Sequence, residues 1–247
     1  MPNPPEAIVL CGGAGVRLKD IAGNGPKAMV SIAGRPFLEL LLGQLRRNGF
    51  ERVILAVGYQ QESIRSYFAE RPCGLQLAYS AESTPLGTGG ALRNAAHLVE
   101  SDAVLTLNGD SYTDVDLTKL VADHRDSEAD VSVVLVPGDG RGDCGSVQVD
   151  PSGKLARFEE KQGVCSTLYL NAGIYMMSRS ILHDIPPGLQ VSLEQELFPR
   201  WLKDGKNIRG FISSARCVDI GTPERYRIAQ DALANVELEA SVAGGKS

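Results

Sequence analysis

The chain has 247 residues, of which 43% are hydrophobic and 22% are charged, as in globular proteins with a sizeable core. Its net charge of −5 disfavours a general nucleic-acid binder, since that class usually carries a basic surplus, but a few Arg and Lys side chains could still hold a small anion. Five widely spaced cysteines without a CxxC pair disfavour a disulfide framework or a zinc site and favour a reducing cytoplasm.

Membrane insertion is not expected either. No apolar run approaches the ~20 residues that a membrane helix needs. The first residues lack the basic segment of a secretion signal, and their short apolar stretch ends in glycines, as a buried strand would. We therefore predict a cytoplasmic protein without membrane contact.

Apolar runs and helical patterns alternate through the first half of the chain. The predicted elements are a strand at Ala7–Cys11, a helix at Pro36–Asn48, a strand at Arg52–Val57, a helix at Gln61–Glu70, a strand at Leu75–Ser80, a helix at Gly90–Leu98, a strand at Ala103–Leu107, a helix at Leu117–Arg125 and a strand at Val131–Val136. This alternation predicts a Rossmann-like α/β fold, with helices on both faces of a mainly parallel, mixed sheet. Ligands of such sheets bind beyond the carboxyl ends of the strands.

The pattern changes after Pro137, where glycines and short strands follow. We predict strands at Ser146–Val149, Leu155–Phe158 and Gly173–Met177, a helix at Leu193–Leu202, a strand at Ile208–Ser213 and a helix at Pro223–Asn235. The whole chain, 1–247, is expected to form one domain, with a β-rich subregion at 137–175 and a frayed tail at 236–247.

Two glycine-rich segments are candidates for ligand binding. Gly12–Leu18 follows the first strand and is followed by Pro26 and Lys27. Its glycines allow the backbone to approach a phosphate, Arg17 can fork onto phosphate oxygens, and Lys27 adds a point charge. The alternative is an ordinary tight turn with surface charges. The second segment, Glu82–Ala91, suits a close approach at a helix start, or simply a loop in which Thr88 caps the helix.

Acidic residues mark three further segments. Asn108-Gly109-Asp110 directly follows a strand, where a carboxylate can hold Mg²⁺, although the tripeptide also suits a plain turn. Phe158–Lys161, with Asn171–Tyr175 after it, could bind a sugar and its phosphate, or could be a solvated charge cluster. In Asp219–Glu224, Thr222 and Pro223 are typical of a helix start.

Taken in order, these segments resemble the sugar-1-phosphate nucleotidyltransferases. The resemblance begins with Leu10–Leu18 and Pro26-Lys27 and continues through Pro85–Gly90, Asp110, Phe158–Lys161 with Asn171–Gly173, and Asp219. The chain departs from the family pattern at Val16, where Thr is usual, in the loop before Pro26, and at Gln162, where Pro is usual. The family fold is the GT-A-like nucleotide-diphospho-sugar transferase fold, with a small β-rich sugar-binding insertion.

The resemblance also implies site residues. Catalytic roles fall on Arg17, Lys27 and Lys161, and Mg²⁺ ligation falls on Asp110 and Asp219. Nucleotide binding falls on Leu10, Gly12, Gly13, Ala14, Gly15, Glu82, Pro85, Gly87, Thr88 and Asn108. Binding of the sugar phosphate falls on Gly145, Glu160, Lys161, Asn171 and Gly173.

The implied reaction transfers a nucleoside monophosphate from a nucleoside triphosphate to a sugar 1-phosphate and releases pyrophosphate. The sugar phosphate brings an ionised nucleophile, so positioning and charge neutralisation should supply most of the catalysis, and no Ser, Cys or His nucleophile is needed. The length and the 85–90 segment look most like D-glycero-D-manno-heptose 1-phosphate guanylyltransferases, which use GTP. Neither nucleic acid nor membrane is expected as a partner, and the sequence allows a homo-oligomer.

Several alternatives remain open at this point. The substrate could be mannose 1-phosphate, or another hexose 1-phosphate with UTP or dTTP. A catalytically silent, nucleotide-binding regulatory subunit would need none of the charged residues at 17, 27, 110, 161 and 219. A dinucleotide-dependent oxidoreductase would need a carboxylate ~20 residues after the glycine loop, and Ser31–Pro36 contains none.

Overall fold

The computed structural model of the chain describes residues 5–138, 146–159 and 169–236. Its strands are β1 (Glu6–Leu10), β2 (Ser31–Ile32), β3 (Arg35–Pro36), β4 (Arg52–Val57), β5 (Gln76–Ala81), β6 (Ala103–Asn108), β7 (Ser111–Thr113), β8 (Val131–Pro137), β9 (Ser146–Val149), β10 (Leu155–Glu159), β11 (Tyr169–Ser178), β12 (Ile208–Ile212) and β13 (Cys217–Asp219). Its helices are α1 (Lys19–Ala22), α2 (Phe37–Arg47), α3 (Gln61–Glu70), α4 (Gly87–Ala95), α5 (Leu117–Asp126), α6 (Arg179–His183), α7 (Phe198–Lys203) and α8 (Pro223–Ala232).

Within these ranges, nine strands form one mixed sheet. Its main part has the order β12-β8-β11-β6-β1-β4-β5, in which every neighbouring pair is parallel except the two pairs that include β11. The β9–β10 hairpin joins the first residues of β11 on the β6 side. The predicted mainly parallel, mixed sheet is therefore confirmed.

The alternation of side chains along the strands explains the layers. In β1, Ala7 and Val9 belong to a core that includes α2, α5 and α8, whereas Ile8 belongs to a second core that includes α4, α6 and α7. Because successive side chains of a strand point to opposite faces, a strand with this composition must be covered on both sides. Helices accordingly cover both faces of the sheet.

The boundaries of α2 follow from its sequence. Phe37, Leu38, Leu41 and Leu45 recur at helical spacing, and all four are fully buried. Gly49, two residues after the helix, has a φ of +79°, the left-handed conformation that commonly ends a helix and that glycine adopts without strain. The predicted helix and its glycine stop are both present.

Parallel strands end at the same edge of a sheet, and this edge collects the glycine-rich segments. Leu10 at the end of β1 lies opposite Asn108 at the end of β6, and Ala56 near the end of β4 is also opposite Leu10. Beyond the edge, β7 pairs with β13 in a separate two-stranded antiparallel ribbon. Asp110 directly precedes one strand of this ribbon, and Asp219 ends the other.

The structure corrects several predicted elements. The helix predicted at Gly90–Leu98 begins earlier, at Gly87, and β11 extends back to Tyr169. The helix predicted at Leu193–Leu202 divides into a π-helical turn, Leu193–Leu197, and α7. The β2–β3 hairpin, the β7–β13 ribbon and α6 had no counterpart among the predicted elements, because each is too short for a periodic pattern.

No helix in the part of the chain that the structure describes is long and apolar enough to cross a membrane. The tail predicted to fray lies almost wholly outside the described residues, as does part of the predicted β-rich subregion. The division into one domain stays a prediction.

Candidate active site

Two adjoining clefts open at the carboxyl edge of the sheet. The larger cleft has a volume of about 460 Å³ and includes Arg17, Asn171, Gly173 and Asp219 in its wall. The smaller cleft, of about 340 Å³, is lined chiefly by the two glycine-rich segments. Lys27, Thr88, Asn108 and Asp110 line both clefts. These four residues therefore form the boundary at which two bound molecules would meet.

Most of the residues predicted from the sequence line one of these clefts. The smaller cleft contains Leu10, Gly12, Gly13, Glu82, Pro85 and Gly87, and Gly15 lies in the wall of the larger cleft. Ala14 is exposed and lines neither cleft. Gly145, Glu160 and Lys161 lie outside the described residues.

The glycine loop is held against the sheet by backbone hydrogen bonds. The amide of Cys11 donates to the Ala56 carbonyl at 2.8 Å, and the amide of Lys27 donates to the Gly13 carbonyl at 2.9 Å. Gly15 has a φ of +60°, and a Cβ there would lie 3.3 Å from Lys27 Cβ. The loop thus packs against Lys27 and fixes the position of its Cα and Cβ atoms.

Glu82 lies in the wall of the smaller cleft and faces two glycines. A Cβ on Gly12 would lie 2.6 Å from Glu82 Oε1, and one on Gly58 would lie 2.7 Å from the same atom. Glu82 Oε2 accepts a hydrogen bond from the Leu86 amide at 3.2 Å. Burial raises the pKa of the Glu82 carboxyl, and the Leu86 amide partly opposes that shift. A half-buried carboxylate therefore faces a mainly apolar cleft.

Asp110 and Asp219 approach each other through the β7–β13 ribbon. Asp219 is paired with Ser111, and the Ile220 amide donates to the Asp110 carbonyl at 3.0 Å. Lys27 Nζ lies 2.5 Å from Asp110 Oδ2, and Arg225 Nη1 lies 3.1 Å from Asp219 Oδ1. Each carboxylate is thus paired with a cation.

The two ion pairs converge beside Gly221. Asp219 Oδ1, Lys27 Nζ and Arg225 Nη1 all lie within 4 Å of the point where a Cβ on Gly221 would be. Because Lys27 also holds Asp110, two carboxylates and two cations occupy one end of the larger cleft. The absence of a side chain at Gly221 leaves room between them.

The donor chemistry of this cluster suits a divalent cation. Asp110 and Asp219 offer carboxylate oxygens, which hard cations such as Mg²⁺ prefer. Across the described ranges, no group of three or more His, Cys, Asp or Glu side chains could hold a metal ion by itself. A cation here would need further oxygen ligands from water or a substrate phosphate, as Mg²⁺ sites with few protein ligands do.

A chain of hydrogen bonds joins the two clefts through Glu194. Thr88 Oγ1 donates to Glu194 Oε2 at 2.8 Å, and Tyr175 Oη donates to Glu194 Oε1 at 3.1 Å. Asn171 Nδ2 in turn donates to Tyr175 Oη at 2.7 Å. Thr88 Oγ1 also accepts from the Leu193 amide, so its hydroxyl serves this network instead of capping α4.

Gly173 brings β11 close to the residues at the end of β6. Its φ is +72°, and a Cβ there would lie 2.7 Å from Asn108 Nδ2 and 3.0 Å from Ser111 Oγ. The β8–β11 register shifts between Asn171 and Tyr175, which is a bulge of the kind often found beside active sites. Within the described part of the chain, Asn108 Oδ1 is buried and has no hydrogen-bond partner, which is unusual for a buried polar atom.

The residues of the larger cleft that were not predicted from the sequence include the polar side chains of Ser111, Glu194 and Arg225. Glu194 lies in the π-helical turn that the helical pattern did not separate from α7, although such turns are frequent at functional sites. Arg225 and Arg227 both lie near the start of α8, and the sequence does not show which of them faces the cleft. The structure places Arg225 on the side of α8 that faces the cleft, whereas Arg227 is exposed. Ser111 belongs to a strand too short to predict.

Comparison with known proteins gives consistent results. A family model described as nucleotidyl transferase matches residues 6–236. The mannose-1-phosphate guanylyltransferase of Mycobacterium tuberculosis is 38% identical over 224 residues, which cover 90% of this chain and 62% of that protein. The D-glycero-alpha-D-manno-heptose 1-phosphate guanylyltransferase of Aneurinibacillus thermoaerophilus is 36% identical over 228 residues, which cover 92% of this chain and 98% of that protein.

A solved structure shows the same similarity in three dimensions. The crystal structure of HddC from Yersinia pseudotuberculosis superimposes with a TM-score of 0.83 at 31% identity, covering 93% of this chain and 99% of that chain. HddC has also been solved in complex with GMP-PN.

Proposed function

Because the chain belongs to the nucleotidyl transferase family, we propose that it transfers a guanylyl group from GTP to D-glycero-D-manno-heptose 1-phosphate and releases pyrophosphate. The observation that carries this proposal is the meeting of two clefts at Lys27 and Asp110. A transfer between two substrates requires one site for each of them, with charged groups at the junction. Mannose 1-phosphate is the second candidate acceptor, because the mycobacterial relative is a mannose-1-phosphate guanylyltransferase.

In this proposal the smaller cleft takes the nucleoside. The glycine loop turns backbone amides toward the phosphates. Lys27, at the junction of the clefts, and Arg17, whose side chain lines the larger cleft, neutralise the part of the triphosphate that extends past that junction. Guanine presents N1–H and its exocyclic amino group side by side, and a carboxylate can accept from both. Glu82 is positioned at the wall of this cleft to do so. We therefore assign guanine selection to Glu82.

The larger cleft takes the sugar 1-phosphate. A phosphate oxygen of this substrate attacks the α-phosphorus of GTP, the bond from that phosphorus to the bridging oxygen of the β-phosphate breaks, and pyrophosphate leaves. Asn171 and Gly173 line the cleft for the sugar, while Gly145, Glu160 and Lys161 complete the proposed set from the sequence. Holding the two polyanions in contact is the main task, so positioning and charge neutralisation supply most of the rate.

Asp110 and Asp219 would hold the divalent cation, which we take to be Mg²⁺. When bound, this cation would neutralise the oxygens of the α-phosphate. Lys27 starts from its ion pair with Asp110 and can turn to a phosphate when the carboxylate is engaged elsewhere. The positions of both carboxylates at one end of the larger cleft support this assignment.

A pyrophosphate-release assay tests the proposal. The purified chain is supplied with Mg²⁺, each of GTP, ATP, UTP and dTTP, and a panel of sugar 1-phosphates. GTP with the heptose 1-phosphate should give the highest kcat/KM. A preference for UTP or dTTP would contradict guanylyl transfer, and release with no pair would favour a silent regulatory subunit.

Replacement of Asp110 tests the cation site in the same assay. Asp110→Asn should lower kcat by about 100-fold or more, since it removes a charge from the proposed ligand set. Its thermal unfolding should change little, because this side chain is 40% exposed. Asp126→Asn, an exposed change at the end of α5, is the matched control and should behave as the wild type. Near-normal turnover by Asp110→Asn would exclude the assignment.

A further inference from the structure

Arg225 occupies a position that the local electrostatics of its helix disfavour. It lies in the first turn of α8, three residues after the capping residue Thr222. The exposed amides of that turn carry partial positive charge, which favours anions and opposes a cation. An Arg side chain is stabilised there only if its guanidinium has an anionic partner.

One such partner is visible. Arg225 Nη1 donates to Asp219 Oδ1 at 3.1 Å, and both side chains are 18% exposed. The same Asp219 oxygen accepts from the Gly221 amide at 2.9 Å. Asp219 is, however, one of the two carboxylates proposed to hold the divalent cation. A cation on Asp219 would compete directly with the guanidinium for the carboxylate.

The surroundings of Arg225 are suited to binding an anion from outside the chain. Its side chain lines the larger cleft with Arg17 and Lys27, and it does not line the smaller cleft. Lys27 Nζ and Arg225 Nη1 lie within 4 Å of the same point beside Gly221, where no side chain intervenes. A guanidinium presents donors in a planar fork that matches two phosphate oxygens.

We propose that Arg225 is a phosphate-binding residue whose guanidinium leaves Asp219 for a phosphate group of the substrates when a divalent cation binds the carboxylate. This inference rests on the proposed function for the identity of the phosphate. The location of Arg225 in the larger cleft favours the phosphate of the sugar 1-phosphate over the pyrophosphate group. In the ligand-free chain, Arg225 neutralises Asp219, and the exchange couples cation binding to substrate binding.

The test measures binding of two ligands without turnover. Wild type, Arg225→Gln, Arg225→Lys and Arg227→Gln are compared as full-length chains, with Arg227 serving as an exposed control on the same helix. Mn²⁺ affinity is measured by electron paramagnetic resonance in the absence of anions. Mannose 1-phosphate and inorganic pyrophosphate are then titrated separately by calorimetry in the presence of saturating Mn²⁺.

Arg225→Gln should bind Mn²⁺ about fivefold more tightly, because the competing cation is gone, and should bind mannose 1-phosphate about tenfold more weakly. Arg225→Lys should lie between the wild type and Arg225→Gln for both ligands, and Arg227→Gln should match the wild type. If pyrophosphate binding were weakened while mannose 1-phosphate binding were unchanged, Arg225 would still bind a phosphate, but that phosphate would belong to the pyrophosphate leaving group.

A purely structural Arg225 predicts a different pattern. Its loss would then weaken Mn²⁺ binding, because Asp219 would be misplaced, and Arg225→Lys would share the defect. That result, or unchanged affinity for both anions, would overturn the proposal. The binding measurements also separate this inference from the proposed function. If the binding data show the exchange of Arg225 from Asp219 to a phosphate but the wild type has no turnover with GTP, only the proposed guanylyl transfer is refuted.

Discussion

A Cβ on Gly12 or Gly58 would lie 2.6 or 2.7 Å from Glu82 Oε1, so a larger residue at either position would require the Glu82 side chain to move. The sequence marked Gly12 as part of a phosphate-binding loop, but it gave no reason for Gly58. Side chains cannot approach a backbone this closely unless the Cβ is absent. Part of the glycine requirement therefore concerns Glu82, to which we assign guanine selection, and not the phosphates.

Glu82→Gln should separate stability from function. Burial raises the pKa of Glu82, so the ionised form is disfavoured in the folded chain. The contribution of Glu82 to stability is therefore present at low pH and lost as pH rises through the raised pKa. Gln retains an acceptor for the Leu86 amide without the charge. The variant should be at least as stable as the wild type at pH 8, while its KM for GTP rises about tenfold.

Thermal unfolding at pH 5 and pH 8, together with steady-state kinetics for GTP, checks this prediction. The stability advantage of Glu82→Gln should shrink as pH falls from 8 to 5, because the wild-type carboxyl takes up its proton more readily in the folded than in the unfolded chain. Glu51→Gln, an exposed change just before β4, is the control and should alter neither property. An unchanged KM for GTP would remove Glu82 from base recognition.

At the scale of elements, the β7–β13 ribbon and α8 place the acidic cluster. The ribbon sets Asp219 opposite Ser111, next to Asp110, although more than a hundred residues separate the two carboxylates in sequence. α8 starts four residues after Asp219, and Arg225 in its first turn hydrogen-bonds to that carboxylate. The start of this helix is thus a structural part of the candidate active site.

Thr222→Ala should lower both stability and activity. Thr222 Oγ1 accepts from the Arg225 amide at 3.3 Å, and loss of such a cap costs about 1 kcal/mol of unfolding free energy. Fraying of the first turn of α8 would also displace Arg225, so kcat/KM should fall. Denaturant unfolding and the pyrophosphate-release assay measure the two effects.

A second capping residue provides the control for that loss. Asp116 caps α5 by accepting from the Lys119 amide, and it lines neither cleft. Asp116→Ala should reduce stability while leaving kcat/KM unchanged. If both variants reduced kcat/KM equally, general destabilisation would explain the activity loss, and the start of α8 would have no special role.

At the scale of the whole molecule, the two cores on either side of the sheet link distant segments of the chain. His124 on α5 shows how polar groups are accommodated there. It is 6% exposed, and its Nδ1 lies 2.9 Å from Ser132 Oγ on β8. Burial lowers the pKa of His124, while the nearby Asp123 and Asp130 oppose the shift. The folded state therefore favours the neutral imidazole of His124.

The contribution of His124 to global stability should consequently fall as pH decreases from 7.5 to 5.5. The unfolded chain takes up a proton on His124 near pH 6.5, whereas the folded chain does so only at lower pH, so stability present above pH 6.5 is lost below it. One such proton changes the unfolding free energy by at most about 1.4 kcal/mol per pH unit. Denaturant unfolding at the two pH values measures the slope.

His124→Gln should flatten this dependence, although the variant itself will be less stable at pH 7.5. His97→Gln, an exposed change after α4, should retain the wild-type slope. An unchanged slope in His124→Gln would assign the pH dependence to other groups.

The sequence alone determined much of the architecture and many of the cleft residues. Apolar periodicity predicted β4 and α3 at their observed boundaries, because long buried runs and amphipathic faces have a direct signature in the order of residues. The strand-then-glycine pattern predicted that Gly12 and Asp110 would meet at one edge, since parallel strands end together. The role of Asp219 as a candidate metal ligand was implied by the family resemblance alone, because the spacing of residues around it did not indicate a metal site.

The tertiary structure decided what local patterns cannot encode. The β7–β13 pairing, the bulge at Gly173 and the Thr88–Glu194 contact each join segments that are distant in the chain and too short for a periodic signal. The orientation of Arg225 likewise depends on how α8 lies against Asp219. Periodicity reports which face of an element is buried, but only packing fixes which polar groups of different elements come within hydrogen-bond distance.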